Sequence, residues 1–318
     1  MKVRKFFVSC ICSLGVAVAM ITVGNDGGCL SSATPSSVTQ PKSVFLHLTL
    51  RRRVEDPKGS GHWKVVITEK GWPAAQTAIV IVDMWDYHWC ETYAARTHAL
   101  ALRMDPVISA ARANGVQIVH APAQSLKADE YRRSEFGQRA LSVPRATLPN
   151  TRNLQSPAMP ALNYAFTSCM CKEKHCKVQG GGYPGRTHQG EDPAISWKGN
   201  DIYIETGDEL YRYCQAKGIS HLLYFGGASN ICLFERPFGV WLMKNWGMDC
   251  IIVRDMVEAF TSSSVSTPEE GDRLVVEFFE KYWAPSTSSA DLLEVYPSES
   301  AASSARRPKP IKDLPGSQ

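Results

Sequence analysis

Two residues of this chain combine a reactive side chain with a position that would present it to a ligand. Cys232 lies in the stretch SHLLYFGGASNICLFERPF, and Asp83 ends the run TAIVIVD. A cysteine attacks a carbonyl carbon as its thiolate, and a carboxylate can take the thiol proton and pass it to the leaving group. These residue types favour hydrolysis of an amide or a related carbonyl compound. The alternatives are a buried structural cysteine and an aspartate that caps the turn after a strand.

Apolar runs precede both residues and predict buried strands. Leu222–Phe225 ends at a glycine pair, and Ala78–Val82 has the largely β-branched composition of a central parallel strand. A buried helix is predicted after the glycine pair, with Cys232 in its first turn. Unpaired backbone N–H groups and the helix dipole stabilise a thiolate there, so we expect the pKa of Cys232 to fall well below the ordinary value of about 8.5.

The order of the predicted elements indicates the fold class. Strands alternate with helices from residue 73 to residue 290, which predicts an α/β fold with a three-layer doubly wound sheet that is mostly parallel. Two alternating segments around a Pro-Lys-Gly-Ser-Gly turn predict an N-terminal β-hairpin extension. In such sheets ligands bind at the carboxyl ends of the strands, where both Asp83 and Cys232 are expected.

Three stretches resemble one protein family in the same order. GGASNIC (226–232) resembles the G-x-A-[ST]-[DN]-x-C signature of the isochorismatase-like cysteine hydrolases, which include nicotinamidases and N-carbamoyl amidohydrolases. TAIVIVDMWD (77–86) resembles the first strand of that family, and ISWKGNDIYIETGDELYRYCQAKGI (195–219) resembles its lysine segment. The chain also resembles uncharacterised isochorismatase-like proteins with a DMWDxHWC motif. The resemblance extends from residue 74 to residue 290.

The resemblance implies a site and a mechanism. Its catalytic triad would be Asp83, Lys198 and Cys232, and the reaction would proceed through a thioester intermediate. Backbone N–H groups around Gly227, Ala228 and Cys232 would hold the oxyanion, with a cis peptide bond between Gly227 and Ala228. Lys198 lies in WKGND, which departs from the family's usual K-x-x-x-S-A-F context. A solvated loop lysine, and with it a catalytically inactive fold that binds a ligand or partner, remains the alternative.

Four further residues are candidates for the substrate pocket. Trp85, His88 and Trp89 follow Asp83, and residues just beyond a strand end face the crevice of an α/β sheet. His120 follows the second predicted strand. Core packing is the alternative for the aromatic group.

The sequence also bears on cofactors. The segment HAPAQSLKADEY contains His120 as its only histidine and lacks the aspartate–histidine set of the family's metal-binding members. We therefore expect no cofactor and no catalytic metal. Cys169, Cys171 and Cys176 have the residue type of a zinc site without its usual spacing, and disulfides are the favoured alternative in an exported protein.

The N-terminus predicts export. Met1–Lys5 carries three positive charges and a largely apolar run follows, as in a secretory signal peptide, with an uncleaved anchor as the alternative. The expected localisation is secreted or periplasmic. The expected organisation is then given by the following segments: 1–24 signal peptide, 25–42 linker, 43–72 β-hairpin, 73–290 hydrolase domain with a Cys-containing insertion at 143–193, and 291–318 disordered tail.

Composition limits the partners. The chain has 318 residues, of which 44% are hydrophobic and 21% are charged, and its net charge of +4 is weak. No long basic run is present, which argues against nucleic acid. We expect a small-molecule substrate, contact with a membrane only through the N-terminal signal or anchor, and a homo-oligomer.

Overall fold

The computed structural model describes residues 44–159, 188–261, 265, 267–293 and, for the backbone, 295–297. The expected signal peptide and linker, the three cysteines Cys169, Cys171 and Cys176, and residues 298–318 of the expected tail lie outside the described residues.

Nine strands form one sheet in the described part of the chain. In chain order they are β1 (Val44–Glu55), β2 (Trp63–Pro73), β3 (Thr77–Val82), β4 (Gln117–Ala121), β5 (Ile202–Tyr203), β6 (His221–Gly227), β7 (Asp249–Glu258), β8 (Ser286–Thr287) and β9 (Val295–Pro297).

The sheet is mostly parallel. Its strand order is β2-β1-β8-β7-β6-β3-β4-β5, and β9 pairs with β1. All pairings from β8 through β5 are parallel, and the three pairings of β1 are antiparallel. The hairpin β1–β2 therefore lengthens an α/β sheet at one edge, as the sequence predicts.

Eight α-helices connect or cover these strands in the described residues. They are α1 (Glu91–Ala113), α2 (Ala128–Arg133), α3 (Glu135–Leu141), α4 (Gly207–Lys217), α5 (Cys232–Glu235), α6 (Val240–Asn245), α7 (Pro268–Tyr282) and α8 (Ala290–Leu293).

Helices cover both faces of the sheet. Along β3, Ile79 and Ile81 pack into a cluster with α1 and α8, whereas Val80 and Val82 pack into a second cluster with α4, α6 and α7. Every residue of β3 is buried, since successive side chains of a strand point to opposite faces. The result is the three-layer arrangement that the sequence predicts.

Residues 195–197 follow a turn rather than a strand, because the Asp192 carboxylate and carbonyl accept the N–H groups of Ala194 and Ile195. Helix α1 continues through Pro106. Pro106 is exposed, and Leu102, whose carbonyl loses its helical partner at the proline, is also exposed, so water can bind that carbonyl.

The start of the segment predicted to be a disordered tail, from residue 291, has secondary structure. Residues 290–293 form α8, and the chain then pairs as β9 with β1. The Asp291 carboxylate anchors this segment by accepting the Thr49 N–H at 2.8 Å and the Thr287 hydroxyl at 2.6 Å. The Ser- and Ala-rich composition does not predict these contacts, because they depend on β1, which is distant in the sequence.

Candidate active site

Asp83 occupies the carboxyl end of the central strand β3. Its side chain is fully buried, and its φ of 45° turns the backbone sharply out of the strand. One carboxylate oxygen, Oδ1, accepts the N–H of Ala123 at 2.8 Å. The segment just after the neighbouring strand β4 thereby holds Oδ1. The other carboxylate oxygen, Oδ2, remains available to the segment that follows β6.

Cys232 starts the short helix α5, directly after β6. Gly226 has a φ of 114°, and a Cβ there would overlap the backbone of Val82, so glycine lets the end of β6 approach the end of β3 closely. The Gly227–Ala228 peptide is cis, as the resemblance implies. Asn230 holds the turn by accepting the N–H of Phe260 and donating to its carbonyl. Cys232 is therefore positioned by three strands.

Arg236 supplies the positive charge of the site. Its Nε donates to Oδ2 of Asp83 at 2.7 Å, and one of its terminal nitrogens donates to the Gln124 side chain at 3.2 Å. Its guanidinium also lies 5.9 Å from the centre of the Trp85 ring. The Arg236 N–H donates to the Cys232 carbonyl at 3.0 Å, so the thiol and the guanidinium lie on the same face of one helical turn.

The Cys232 thiol interacts with both charged groups. The charges of Asp83 and Arg236 act on the thiol in opposite directions, and the Ala228 N–H favours its ionised form. Burial and the negative charge of Asp83 raise the pKa of Cys232 to about 12, and Arg236 offsets only part of this increase. The prediction of a lowered pKa is therefore wrong. The helix expected after β6 is a single turn, α5. The burial of the thiol and the charge of the adjacent carboxylate outweigh any stabilisation of the thiolate by this turn.

Burial also raises the pKa of Asp83 above its ordinary value, with Arg236 acting in the opposite direction. The carboxylate nevertheless accepts hydrogen bonds from the Arg236 side chain and the Ala123 N–H. These two donors suit an ionised carboxylate. The resting site thus pairs a neutral thiol with a carboxylate that can accept its proton.

Lys198 does not line the cavity at Cys232. Its side chain is exposed, and its backbone N–H donates to Asp201 at 2.8 Å within a turn. The structure does not bring Lys198 to Asp83 and Cys232, because Asp201 holds the WKGND segment in a turn and Arg236 occupies the place beside Asp83.

A cavity of about 500 Å³ opens in front of Cys232. Its walls are mostly apolar and aromatic, and they are formed by Trp85, His88, Tyr93, Gln124, Ala228, Ile231, Cys232, Glu235, Arg236, Pro237 and Phe260.

Two of the four predicted pocket residues line this cavity. Trp85 and His88 do so, and burial lowers the pKa of His88 to about 3, so its imidazole is neutral. Trp89 instead packs behind the wall against His88 and Phe260. The direction of the turn after β3 decides this difference, and the sequence pattern carries no information about it.

His120 does not line the cavity either, contrary to the prediction. It is fully buried and lies between Glu191 (Nδ1 to Oε2, 2.7 Å) and Asp201 (Nε2 to Oδ2, 3.1 Å), with Trp197 stacked on its ring. Burial opposes protonation, but the two carboxylates outweigh it and raise the pKa of His120. His120 therefore belongs to a buried polar network that holds residues 191–201 against β4.

Arg236, Tyr93, Gln124 and Phe260 are site residues that sequence reasoning missed. Arg236 carried a usable signal, since Cys-x-x-x-Arg places both side chains on one helical face. The other three come from separate segments, and nothing in their local pattern distinguishes them from core or loop residues.

In the described part of the chain, no group of three or more histidine, cysteine, aspartate or glutamate side chains could hold a metal ion. No helix there is long and apolar enough to cross a bilayer. The expectation of a metal-free site stays a prediction.

No protein-family model matches the sequence, and no curated protein matches it. Several solved structures are similar in fold. A cysteine hydrolase from Pseudomonas syringae pv. phaseolicola 1448A is 13% identical with a TM-score of 0.43, and the match covers 70% of this chain and 92% of that one. An isochorismatase family protein from Burkholderia thailandensis is 14% identical with a TM-score of 0.37 (69% and 96% covered). An N-carbamoylsarcosine amidase from Thermoplasma acidophilum is 14% identical with a TM-score of 0.33 (67% and 96% covered). These similarities concern the fold.

Proposed function

We propose that this chain is a cysteine-dependent hydrolase of a small amide, imide or carbamoyl compound. Cys232 is the nucleophile, Asp83 is the general base and acid, and Arg236 is the fixed positive charge. One observation carries the proposal: a buried carboxylate pairs with a guanidinium, and both act on the Cys232 thiol at the wall of a cavity large enough for a small ligand. An arrangement of nucleophile, base and orienting group is typical of covalent catalysis.

The first step forms a thioester. The Cys232 sulfur attacks the substrate carbonyl carbon while Asp83 takes the thiol proton, so no thiolate has to exist beforehand. Arg236 stabilises the negative charge that develops on sulfur. The carbonyl oxygen becomes an oxyanion, for which the N–H groups of Ala228 and Cys232 are the proposed donors.

The second step releases the products. The tetrahedral intermediate collapses with cleavage of the C–N bond, and Asp83 gives its proton to the leaving nitrogen. A water molecule then attacks the thioester carbonyl with Asp83 as base. The acid leaves, the thiol is protonated again, and the site returns to its starting state.

The cavity favours an uncharged substrate with an apolar or planar body. Trp85, His88 and Phe260 offer aromatic surface, and the His88 imidazole is neutral. The charge of Arg236 is already paired with Asp83. A substrate carboxylate would have to compete with that buried ion pair, which costs desolvation without a new partner.

A catalytically inactive protein that binds a ligand in the same cavity is the second candidate. The raised pKa of Cys232 and the exposed position of Lys198 favour it, since neither promotes a reactive thiolate. The two candidates differ in whether a covalent adduct forms on Cys232.

Intact-mass spectrometry separates them. Wild-type protein is mixed with a panel of small amides, cyclic imides and carbamoyl compounds and quenched in acid at short times. If the protein is a hydrolase, Cys232 should carry a transient adduct whose mass is that of the substrate's acyl group, and the amine or ammonia should be released. Cys232→Ala should give neither, while Cys214→Ala, which removes a buried thiol that does not line the cavity, should give both. Ligand binding without adduct or product across the panel would support the inactive protein.

Export is a separate proposal that rests on the sequence. Three positive charges followed by an apolar run are the layout of a signal peptide, and we propose that the chain acts outside the cytoplasm.

A further inference from the structure

Tyr93 lines the cavity and is 4% exposed. Its hydroxyl oxygen is buried, and within the described residues it makes no hydrogen bond. We infer that Tyr93 is a substrate-binding residue whose hydroxyl donates to an acceptor on the substrate other than the carbonyl that Cys232 attacks.

Packing fixes the direction of this hydroxyl. The Tyr93 ring meets His88 at 4.7 Å and Phe260 at 5.2 Å between ring centres, both nearly edge-on. The guanidinium of Arg96 lies 5.6 Å from the centre of the same ring. A ring held by three neighbours cannot turn away, so its hydroxyl is preorganised for a ligand.

Gly227 makes room for the hydroxyl. A Cβ at this position would overlap the Tyr93 oxygen. The oxygen therefore lies against the last residue of β6, beside the Ala228 that lines the same cavity as Cys232. This is the wall that a substrate touches when its carbonyl reaches the sulfur.

Tyr93 is a donor rather than an anion. Burial, followed by the nearby Cys232 and Glu258, raises its pKa well above the ordinary value of the phenol. A neutral phenol donates one hydrogen bond, and a buried donor without an acceptor is unfavourable. An acceptor delivered by the ligand removes this cost.

Other polar side chains of the wall already have partners. Arg236 contacts Asp83 and Gln124, the Trp85 indole donates to the Ala123 carbonyl, and His88 accepts the Cys90 N–H. Tyr93 is therefore the group suited to select a second acceptor. This feature favours compounds with two acceptors, such as cyclic imides and carbamoyl compounds with a second carbonyl, over simple monoamides.

The inference rests on the proposed function in taking this cavity for the substrate site, and its test does not use turnover. The probes are matched pairs that differ by one carbonyl: succinimide against pyrrolidinone, and phthalimide against isoindolinone. Their affinities are measured by ligand-observed NMR titration on Cys232→Ala protein. We expect the imide of each pair to bind roughly three- to tenfold more tightly, the ratio that one net hydrogen bond provides.

Adding Tyr93→Phe should reduce that preference to about one, because only the hydroxyl is lost. An imide preference that survives Tyr93→Phe, or the absence of any preference in Cys232→Ala protein, would overturn the inference. A failure of hydrolysis in wild-type protein, with the Tyr93-dependent preference intact, would contradict the proposed function alone.

Thermal unfolding of the ligand-free protein gives an independent check. Tyr93→Phe should not lower the melting temperature, since the hydroxyl has no partner to lose. Tyr213→Phe is the matched control: Tyr213 is also buried, but its hydroxyl donates to Gln117 at 3.0 Å, so this variant should melt lower. An equal loss in both variants would show that the Tyr93 hydroxyl has an internal partner and would overturn the inference.

Discussion

Nε of Arg236 and Oδ2 of Asp83 lie 2.7 Å apart, although the two residues are 153 positions apart in the chain. The carboxylate is fully buried and the arginine side chain is 18% exposed, so the ion pair closes one side of the cavity. Because Arg236 follows Cys232 by one helical turn, the same short segment carries both the nucleophile and the cation. The base comes from the neighbouring strand.

Replacing Arg236 tests this arrangement. Arg236→Met should lower kcat/KM by roughly a hundredfold or more, because the charge beside the reacting sulfur is lost. It should also lower the free energy of unfolding by about 2–4 kcal/mol, since Asp83 is left as a buried, unpaired carboxylate. Steady-state kinetics and urea unfolding measure the two effects. Lys198→Met is the control and should leave both unchanged. A loss of activity in the Lys198 variant alone would restore the lysine triad.

Asp83→Asn should separate thiol reactivity from turnover. Asp83 raises the pKa of Cys232, whereas Arg236 lowers it, so removing the carboxylate leaves the cation to favour the thiolate. We expect faster alkylation of Cys232 by iodoacetamide at neutral pH, by roughly tenfold for each unit that the pKa falls. Turnover should nevertheless be abolished, because no base remains. Peptide mapping by mass spectrometry follows the labelled residue. Slower labelling in Asp83→Asn would contradict the deduced role of the carboxylate.

In wild-type protein, Cys232 should alkylate slowly at neutral pH and faster as the pH rises. Cys214 provides the comparison, because burial raises its pKa to about 12 as well. It lacks an opening to the cavity, so its labelling should be slower than that of Cys232 under native conditions. Rapid labelling of Cys232 at mildly acidic pH would show that a thiolate exists in the resting site.

His88 should make stability depend on pH. Its pKa falls from an unfolded value near 6.5 to about 3 in the folded protein, so between these pH values the unfolded state binds a proton that the folded state does not. The free energy of unfolding is therefore not reduced by this group above about pH 6.5. It falls by about 1.4 kcal/mol per pH unit as the pH drops toward 3. Urea unfolding across this range measures the slope. His88→Phe should reduce it, and an unchanged slope would contradict the assignment to His88.

Chelators should leave any hydrolase activity unchanged. The proposed chemistry requires only Cys232, Asp83 and Arg236, and no metal enters a step. Activity is measured after dialysis against EDTA and against a stronger zinc chelator. A loss of activity that zinc or iron restores would show that a metal site was missed.

The mature protein should begin near residue 25. Mass spectrometry of the N-terminus, with fractionation of the expressing cells, tests this prediction. An intact Met1 on protein recovered only from the cytoplasm would contradict export.

Local patterns in the sequence determine the scaffold of this protein. The β-branched run before Asp83 and the apolar run before the glycine pair indicate strands through side-chain periodicity, which depends on near neighbours only. Parallel strands bring their carboxyl ends to one edge of the sheet. The sequence alone therefore predicts that Asp83 and Cys232 lie close together.

The tertiary structure decides which other groups reach these two residues. Arg236 rather than Lys198 contacts Asp83. Asp201 holds the lysine segment in a turn, and Arg112 and His120, from distant parts of the chain, hold Asp201 in place. Burial and the nearby carboxylate reverse the expected pKa shift of Cys232, and His120 is enclosed by Glu191 and Asp201. Charge, desolvation and packing act between residues that are far apart in sequence, so they follow from the folded arrangement and not from local composition.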